Sequence, residues 1–231
     1  MDVKKILDIF EEHGFNENNC SFFRQENIPD IAKDVIAAIN YTRCDILEQS
    51  GGHPEWHIKG DVFEVIKQGW DMMIAHPPCT YLSVSGLHWN KKRPERAKQT
   101  EEALIFVQKL MDAPINKIAI ENPISCISSR IRKPDQIVHP YHFGDKASKS
   151  TCLWLKNLPK LTHTDVVEKG DFMEYKDKKT GKTKRMAKWC NDVALRSMQE
   201  KDPIKRKALR QKLRSKTFLG IAKAMANQWT I

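Results

Sequence analysis

Two short runs in this 231-residue chain put chemically capable residues directly after apolar stretches. The first is Ala75-His76-Pro77-Pro78-Cys79-Thr80, and the second, Glu121-Asn122-Pro123, begins 42 positions after Cys79. A cysteine thiolate is a strong nucleophile and also leaves readily in a later elimination. An ordinary thiol has a pKa of about 8.5, so only a few per cent is ionised at neutral pH, and its loop must help with backbone donors or nearby positive charge. Two prolines before Cys79 stiffen that loop and fix the direction in which the thiol leaves it. A glutamate beside such a thiol can hold or protonate a ring nitrogen of a substrate. Taken singly, a cysteine after a buried strand is usually structural and a Glu-Asn-Pro run is usually a turn. Their joint placement marks a site.

The elements that must position them are legible from periodicity. Residues 71–75 (DMMIA) and 116–120 are compact apolar runs that read as buried strands, and residues 94–112 between them form a helix with Leu104, Val107 and Met111 on one face. Strand, loop, helix, strand is a βαβ unit with a parallel sheet, whose ligands sit beyond the carboxyl ends of the strands. Both runs fall there. Val3, Ile6, Leu7 and Phe10 read as one helix, and Ile28, Ile31, Val35 and Ile39 as a second. Residues 15–25 read as loop, 41–47 as a short strand, 51–59 as a polar loop and 151–155 as a strand. Residues 176–188 read as a hairpin about Thr180-Gly181. Phe218, Ile221, Ala222, Met225 and Trp229 belong to a closing helix.

A Pro-Pro-Cys loop followed by a Glu-Asn dipeptide resembles the DNA (cytosine-5)-methyltransferases. The runs MIAHPPCTYLSVSG, IAIENP, RKPDQIV, FGDKASKSTCLWLKNLPKL and SKTFLGIAKAMANQW resemble a compact phage and prophage family of these enzymes, over roughly residues 44–160 and 214–230. The resemblance implies an α/β fold: a Rossmann-like class I methyltransferase sheet, mostly parallel and flanked by helices, with a small basic insertion near the C-terminus. It implies a catalytic core over 1–155, a nucleic-acid-contacting insertion over 156–213 and a helix over 214–231 that returns to the core. Cys79 would add to carbon 6 of cytosine, and carbon 5 of the resulting enamine would take a methyl group from S-adenosylmethionine. Glu121 would hold N3 and the exocyclic amine. In a duplex the base must first be flipped out. Pro78, Asn122, Ser83 and Ser85 are expected against the substrate. Arg130 and Arg132 resemble the arginine pair that supports the glutamate in these enzymes, or would contact phosphate. His76 is placed to border the pocket or to cap it. The run Lys149-Ser150-Thr151-Cys152 also matches the family, with no physical role evident from the sequence.

For the cofactor, Asp45 matches the carboxylate that binds the ribose hydroxyls, and Asp61, in Gly60-Asp61-Val62, matches the adenine contact. Either could equally be a capping or surface carboxylate. Pro77 and Gly220, the latter in a helix with Ala222, Ala224 and Ala226, complete the expected cofactor set. The glycine-rich turn that should precede Asp45 by about 20 residues is missing. No glycine lies between Gly14 and Gly51, and the expected position falls near Gln25-Glu26-Asn27. Either the turn is remodelled around Glu26, or the pocket serves a reaction other than methylation.

Composition sets the outer bounds. Hydrophobic residues are 40% and charged residues 29%, the balance of a folded domain, and the formal net charge of +10 points to a polyanionic partner. Residues 156–216 carry 19 Lys or Arg against 8 Asp or Glu, a net +11 that accounts for all of the excess. Lys182, Lys184 and Arg185 are its candidate DNA contacts. No apolar run reaches the ~18 residues needed to cross a bilayer, and residues 1–10 are too charged for a signal peptide, so the expected setting is the cytoplasm of a bacterium or phage-infected cell. Six scattered cysteines without a CxxC pair point to free thiols, and His53 and His57 lack the HExxH pattern, so no metal is expected. The sequence thus reads as a cytosine-C5 methyltransferase acting on DNA. Two alternatives stand beside it: an enzyme modifying a cytosine nucleotide with another one-carbon donor, and an inactive nucleic-acid-binding relative.

Overall fold

The computed structural model describes residues 20–25, 39–45, 57–215 and 218–229. The helices expected over residues 3–10 and 28–35, together with Glu26 and His53, lie outside these. Seven strands form one sheet: β1 (Cys20–Gln25), β2 (Ile39–Asp45), β3 (His57–Lys59), β4 (Met72–Ala75), β5 (Lys117–Pro123), β6 (Gln136–Val138) and β7 (Thr151–Lys156). Their spatial order is β3-β2-β1-β4-β5-β7-β6. The helices attached to this sheet are α1 (Val62–Ile66), α2 (Val84–Leu87), α3 (Pro94–Met111) and α4 (Ile127–Arg130). A two-stranded hairpin, β8 (Phe172–Lys176) and β9 (Thr183–Ala187), leads into α5 (Lys188–Met198), α6 (Pro203–Ser215) and α7 (Leu219–Gln228).

The βαβ unit β4–α3–β5 is present and its strands pair in parallel, as the periodicity predicts. The sheet as a whole is mixed and not mostly parallel. Only β2–β3 and β4–β5 pair in parallel, whereas β1–β2, β1–β4, β5–β7 and β6–β7 are antiparallel. β1 and β7 run against the other five strands. β1 falls within the stretch expected to be loop. Its apolar signal is short, but Cys20 and Phe22, two positions apart, are both buried in the core. A slot between two strands turns six residues into a central strand that local pattern does not announce. Ile39 likewise opens β2 and does not close a helix.

Alternation along the strands divides the core cleanly, because successive side chains point to opposite faces. Met73, Ala75, Ile118, Ile120, Cys152 and Trp154 pack on the face covered by α3 through Leu104, Val107 and Leu110. Met72, Ile74, Ala119 and Leu153 pack on the opposite face, covered by α7 through Ile221, Ala222, Met225 and the adjoining Trp229. Residues 71–75 are therefore apolar throughout because both faces of β4 are covered. Trp229, 1% exposed, also donates its Nε1–H to the Pro159 carbonyl at 2.9 Å. No helix among the described residues is long and apolar enough to cross a membrane.

Gly220 sits where α7 crosses the turn following the 3-10 helix Pro140–His142. Its N–H donates to Asp145 Oδ2 at 3.0 Å, and a Cβ at this position would overlap the Phe143 carbonyl. Gly220→Ala is therefore expected to force α7 outward at a cost of about 1–3 kcal/mol, a fall of a few to about ten degrees in Tm. Thermal unfolding followed by circular dichroism measures it; an unchanged Tm would show that the helix shifts without penalty.

Candidate active site

The site follows from a difference in strand length. β4 and β5 pair from Met72↔Lys117 to Ala75↔Ile120, where β4 stops. β5 runs three residues further, through Glu121, Asn122 and Pro123, paired only to β7 at Leu153, Cys152 and Thr151. The Pro77-Pro78-Cys79 loop occupies the edge that β4 leaves open. Asn122, buried at 1% exposure, fastens it by donating from Nδ2 to the Pro77 carbonyl at 2.8 Å. His76 and Glu121 each lie one residue beyond the last paired positions, so they emerge side by side on the same face of the sheet. His76 Nδ1 and Glu121 Oε2 are 2.6 Å apart, with side chains only 5% and 17% exposed.

Backbone bonds tie the two chemical loops to each other. The Cys79 carbonyl accepts the N–H groups of Leu82 (3.1 Å) and Ser83 (2.9 Å), which turns the chain directly after the thiol. Leu82 is fully buried, and its carbonyl accepts the Cys126 N–H at 2.9 Å. The Val84 N–H reaches the Ile124 carbonyl, and Ser83 and Ser125 form a β-bridge. The start of α3 braces the same turn from outside. Arg96 Nη2 donates to the Thr80 carbonyl at 2.7 Å, and buried Thr100 donates from Oγ1 to the Tyr81 carbonyl at 2.9 Å. Cys79 thus projects from a loop held at both ends, the condition under which a nucleophile keeps its aim.

Two cavities meet at His76 and Pro77, which line both. One, of about 400 Å3, lies between the sheet and α3 and is walled by Cys20, Cys44, Asp61, Pro78, Tyr81 and Phe106. The other, of about 350 Å3, holds Cys79, Glu121, Asn122, Ser83 and Ser85. Its far wall comes from Lys149 in the loop before β7 and, from the basic region, Trp189 and Cys190 at the start of α5 and Arg214 at the end of α6. Both volumes fall in the range of small-molecule sites.

The electrostatics favour an ionised glutamate. Burial pushes the Glu121 carboxyl up, but the His76 hydrogen bond and the charges of His76 and Lys149 outweigh it and bring the pKa down to about 2. Neighbouring thiols are quiet: burial, helped by the Glu121 charge, pushes Cys152 up to about 11, and burial raises Cys190 despite Arg214, Lys149 and Arg210 nearby. Cys79 is half-buried and, like the other five cysteines, forms no disulfide. It is the thiol that combines access to the cavity with an adjacent carboxylate.

The expected residues separate into those brought together and those that are not. Cys79, Glu121, Asn122, Ser83 and Ser85 share one cavity, and the two serine hydroxyls lie 3.0 Å apart. Asn122 faces inward and holds the loop. Pro77 borders both cavities, whereas Pro78 and Asp61 line the first. Asp61 also caps α1, its Oδ1 accepting the Phe63 N–H at 2.9 Å, so it is a capping carboxylate that also walls a cavity. Asp45 ends β2 one residue beyond the cavity-lining Cys44.

Gly220 lines neither cavity; close packing against the Phe143 carbonyl accounts for the glycine there. Arg130 and Arg132 do not support Glu121. Arg130 forms a two-pronged pair with Glu101 of α3 at 3.0 and 2.8 Å, and Arg132 pairs with Asp135 at 2.7 Å. Proximity in sequence to Glu121 is misleading here because α4 carries the chain away from the strand end. Lys182, Lys184 and Arg185 stand on the hairpin outside the cavity, with Lys184 paired to Asp177 and Arg185 over the Phe172 ring at 4.9 Å. The partners of the site that sequence reasoning leaves unassigned are Arg96, Thr100, Lys149, Trp189 and Arg214. The match at Lys149 to Cys152 was the one available signal for any of them.

Chemically, the second cavity presents a thiol, an anionic hydrogen-bond acceptor, hydroxyls and cations around one space. For S-adenosylmethionine, the first cavity offers an apolar wall and the Asp61 carboxylate for the nucleoside part. A backbone cradle after β1 is not among the described residues, since β1 meets this end of the sheet with its first residue, Cys20, and ends at Gln25 on the opposite side. No protein-family model, curated protein or solved structure matches the chain.

The Glu121 shift has a defined pH signature. Its folded pKa is depressed from 4.5 to about 2, so the stability it contributes is complete above about 4.5 and is lost as pH falls towards 2. Thermal melts across this range are expected to show a steeper acid loss for the natural protein than for Glu121→Gln. Parallel acid profiles would mean that the carboxylate is not held by His76.

Proposed function

We propose that the chain is a cytosine-C5-modifying enzyme of the methyltransferase type, acting on DNA. The observation that carries this reading is the convergence of Cys79 and Glu121 in one cavity, on loops clamped to each other at the ends of adjacent parallel strands. The spatial order of the strands adds support: β3-β2-β1-β4-β5-β7-β6 follows the order 3-2-1-4-5-6 of doubly wound sheets with one strand inserted before the last, although both β1 and the inserted β7 run against the others.

In this reading the thiolate of Cys79 forms a bond to carbon 6 of a cytosine whose N3 and exocyclic amine face Glu121. The carboxylate accepts the amine N–H, and N3 must gain a proton as negative charge grows on it. Carbon 5 then becomes nucleophilic, and loss of its proton later expels the thiolate. Asn122 and Arg96 hold the loop, and the Ser83 and Ser85 hydroxyls face the sugar side. Lys149 and Arg214, on the wall of the same cavity, attract the phosphate backbone. S-adenosylmethionine supplies an electrophilic methyl group when bound, and Asp61, Pro77, Pro78 and Phe106 are the residues that would hold it. The reversed β1 favours a second reading in one respect: without a glycine cradle, another one-carbon donor could occupy the first cavity.

Incubation with 5-fluorocytosine DNA separates these readings. The expected result is a covalent adduct that forms with S-adenosylmethionine and is abolished by Cys79→Ser. An adduct indifferent to that cofactor supports the second donor, and no adduct under any condition refutes cytosine chemistry.

DNA binding should depend on the cavity wall more than on the hairpin. Lys149→Ala combined with Arg214→Ala is expected to reduce the slope of log K against log salt by about two. Substituting Lys182, Lys184 and Arg185 together should change it less, because they stand on the hairpin and do not line the cavity. The reverse ranking in a salt titration would move the interface to the hairpin.

A further inference from the structure

We infer that His76 is the proton store of the site, a positioning residue that supplies N3 of the bound base through the Glu121 carboxyl. The inference rests on the cytosine reading above. Addition of a thiolate to carbon 6 drives the C5–C6 electron pair through C4 onto N3, and N3 must gain a proton for the enamine to form. Something has to deliver that proton. Glu121 faces the ring edge but is held as the anion, with a pKa of about 2, so alone it has no proton to give at neutral pH. The arginine pair that would serve an anionic glutamate is engaged elsewhere, on Glu101 and Asp135. The group bonded to Glu121 is His76, Nδ1 to Oε2 at 2.6 Å, and imidazole is the side chain suited to exchanging a proton near neutral pH.

The geometry also fixes this pair. The parallel register of β4 and β5 sets the two residues side by side, Pro77 follows His76 immediately, and Asn122 follows Glu121 and bonds to Pro77. The backbone that carries the ring is therefore held together with the loop that carries Cys79. His76 borders both cavities, so its charge is sensed by the base site and by the neighbouring site.

The step balances without an external reagent. As Sγ–C6 forms, the proton on His76 Nδ1 passes to the Glu121 carboxyl and from it to N3, leaving a neutral imidazole. When carbon 5 later gives its own proton to solvent water and Sγ–C6 breaks, the thiolate is released and N3 returns its proton by the same route. The charged and titratable groups that face His76 in the second cavity are Glu121 from β5, Lys149 from the loop before β7, Cys79 from its own loop, Cys190 of α5 and Arg214 at the end of α6. Asp61 at the start of α1, Glu102 of α3, and Cys20 and Cys44 of β1 and β2 face it through the first cavity.

Exchange of the cytosine C5 hydrogen for deuterium in a single-stranded oligodeoxynucleotide reads this step and needs no methyl donor. The natural protein is expected to lose exchange rate as pD rises, because the relay starts from a protonated donor. His76→Asn keeps an N–H for Glu121 but cannot give up a proton. It is expected to bind the oligonucleotide within about twofold of the natural protein and to exchange about 100-fold more slowly, with that pD dependence gone. If His76→Asn does not fold, His76→Ala with added imidazole takes its place: rescue of the rate and of its pD dependence is expected, and a natural rate without imidazole refutes the inference. Exchange by His76→Asn at the natural rate and profile overturns the role of His76 while leaving the Cys79 reading intact. Absence of both exchange and adduct in the natural protein overturns the two together.

Discussion

Everything at the site depends on the register of β4 against β5 and on β5 being the longer strand. Ala75 is the last residue of β4 to pair, opposite Ile120, and the next residue on each strand carries an ionisable side chain. A shift of one residue would turn one of them to the opposite face, since side chains alternate along a strand. Register here is strongly specified, because Met73 and Ile118 must bury on one face while Ile74 and Ala119 bury on the other. The packing of two separate cores thus sets the distance between His76 and Glu121.

The same difference in length makes room for the nucleophile. Asn122 cannot bond to a β4 residue that is not there, and its side-chain amide reaches the Pro77 carbonyl instead. Proline has no N–H to contribute, so the loop offers the strand edge its carbonyl alone. Beyond Cys79 the chain is tied to residues 124–126 and braced by Arg96 and Thr100. A buried amide and several backbone bonds hold the loop, which also buries Pro77 and Leu82. That leaves Cys79 partly open to the cavity on a backbone that is fully engaged.

Charge is distributed in the complementary way. Nearly all the excess positive charge lies in residues 156–216, and part of it returns to the site through the end of α6. The contact is made by Arg214, with Trp189 and Cys190 alongside, and not by the lysines at the tip of the hairpin. Lys149 and Arg214 on one wall and the Glu121 anion on another give this cavity two ends of opposite charge.

The sequence by itself determined the βαβ unit, the burial of residues 71–75, the closing helix, the hairpin and the pairing of Cys79 with Glu121. These follow from periodicity and from the rule that ligands collect at strand ends, and both are local properties. Only the tertiary structure decided the direction of β1, the partners of Arg130 and Arg132, the steric reason for Gly220 and the identity of the group bonded to Glu121. Each of those depends on which surfaces meet across tens or hundreds of residues. Arg130 is nine positions from Glu121 and does not touch it, whereas His76 is 45 positions away and does. Spacing along a chain fixes which face of its own element a residue occupies; neighbours on other elements are fixed by strand order and register, which the core selects by burying both faces of the sheet at once.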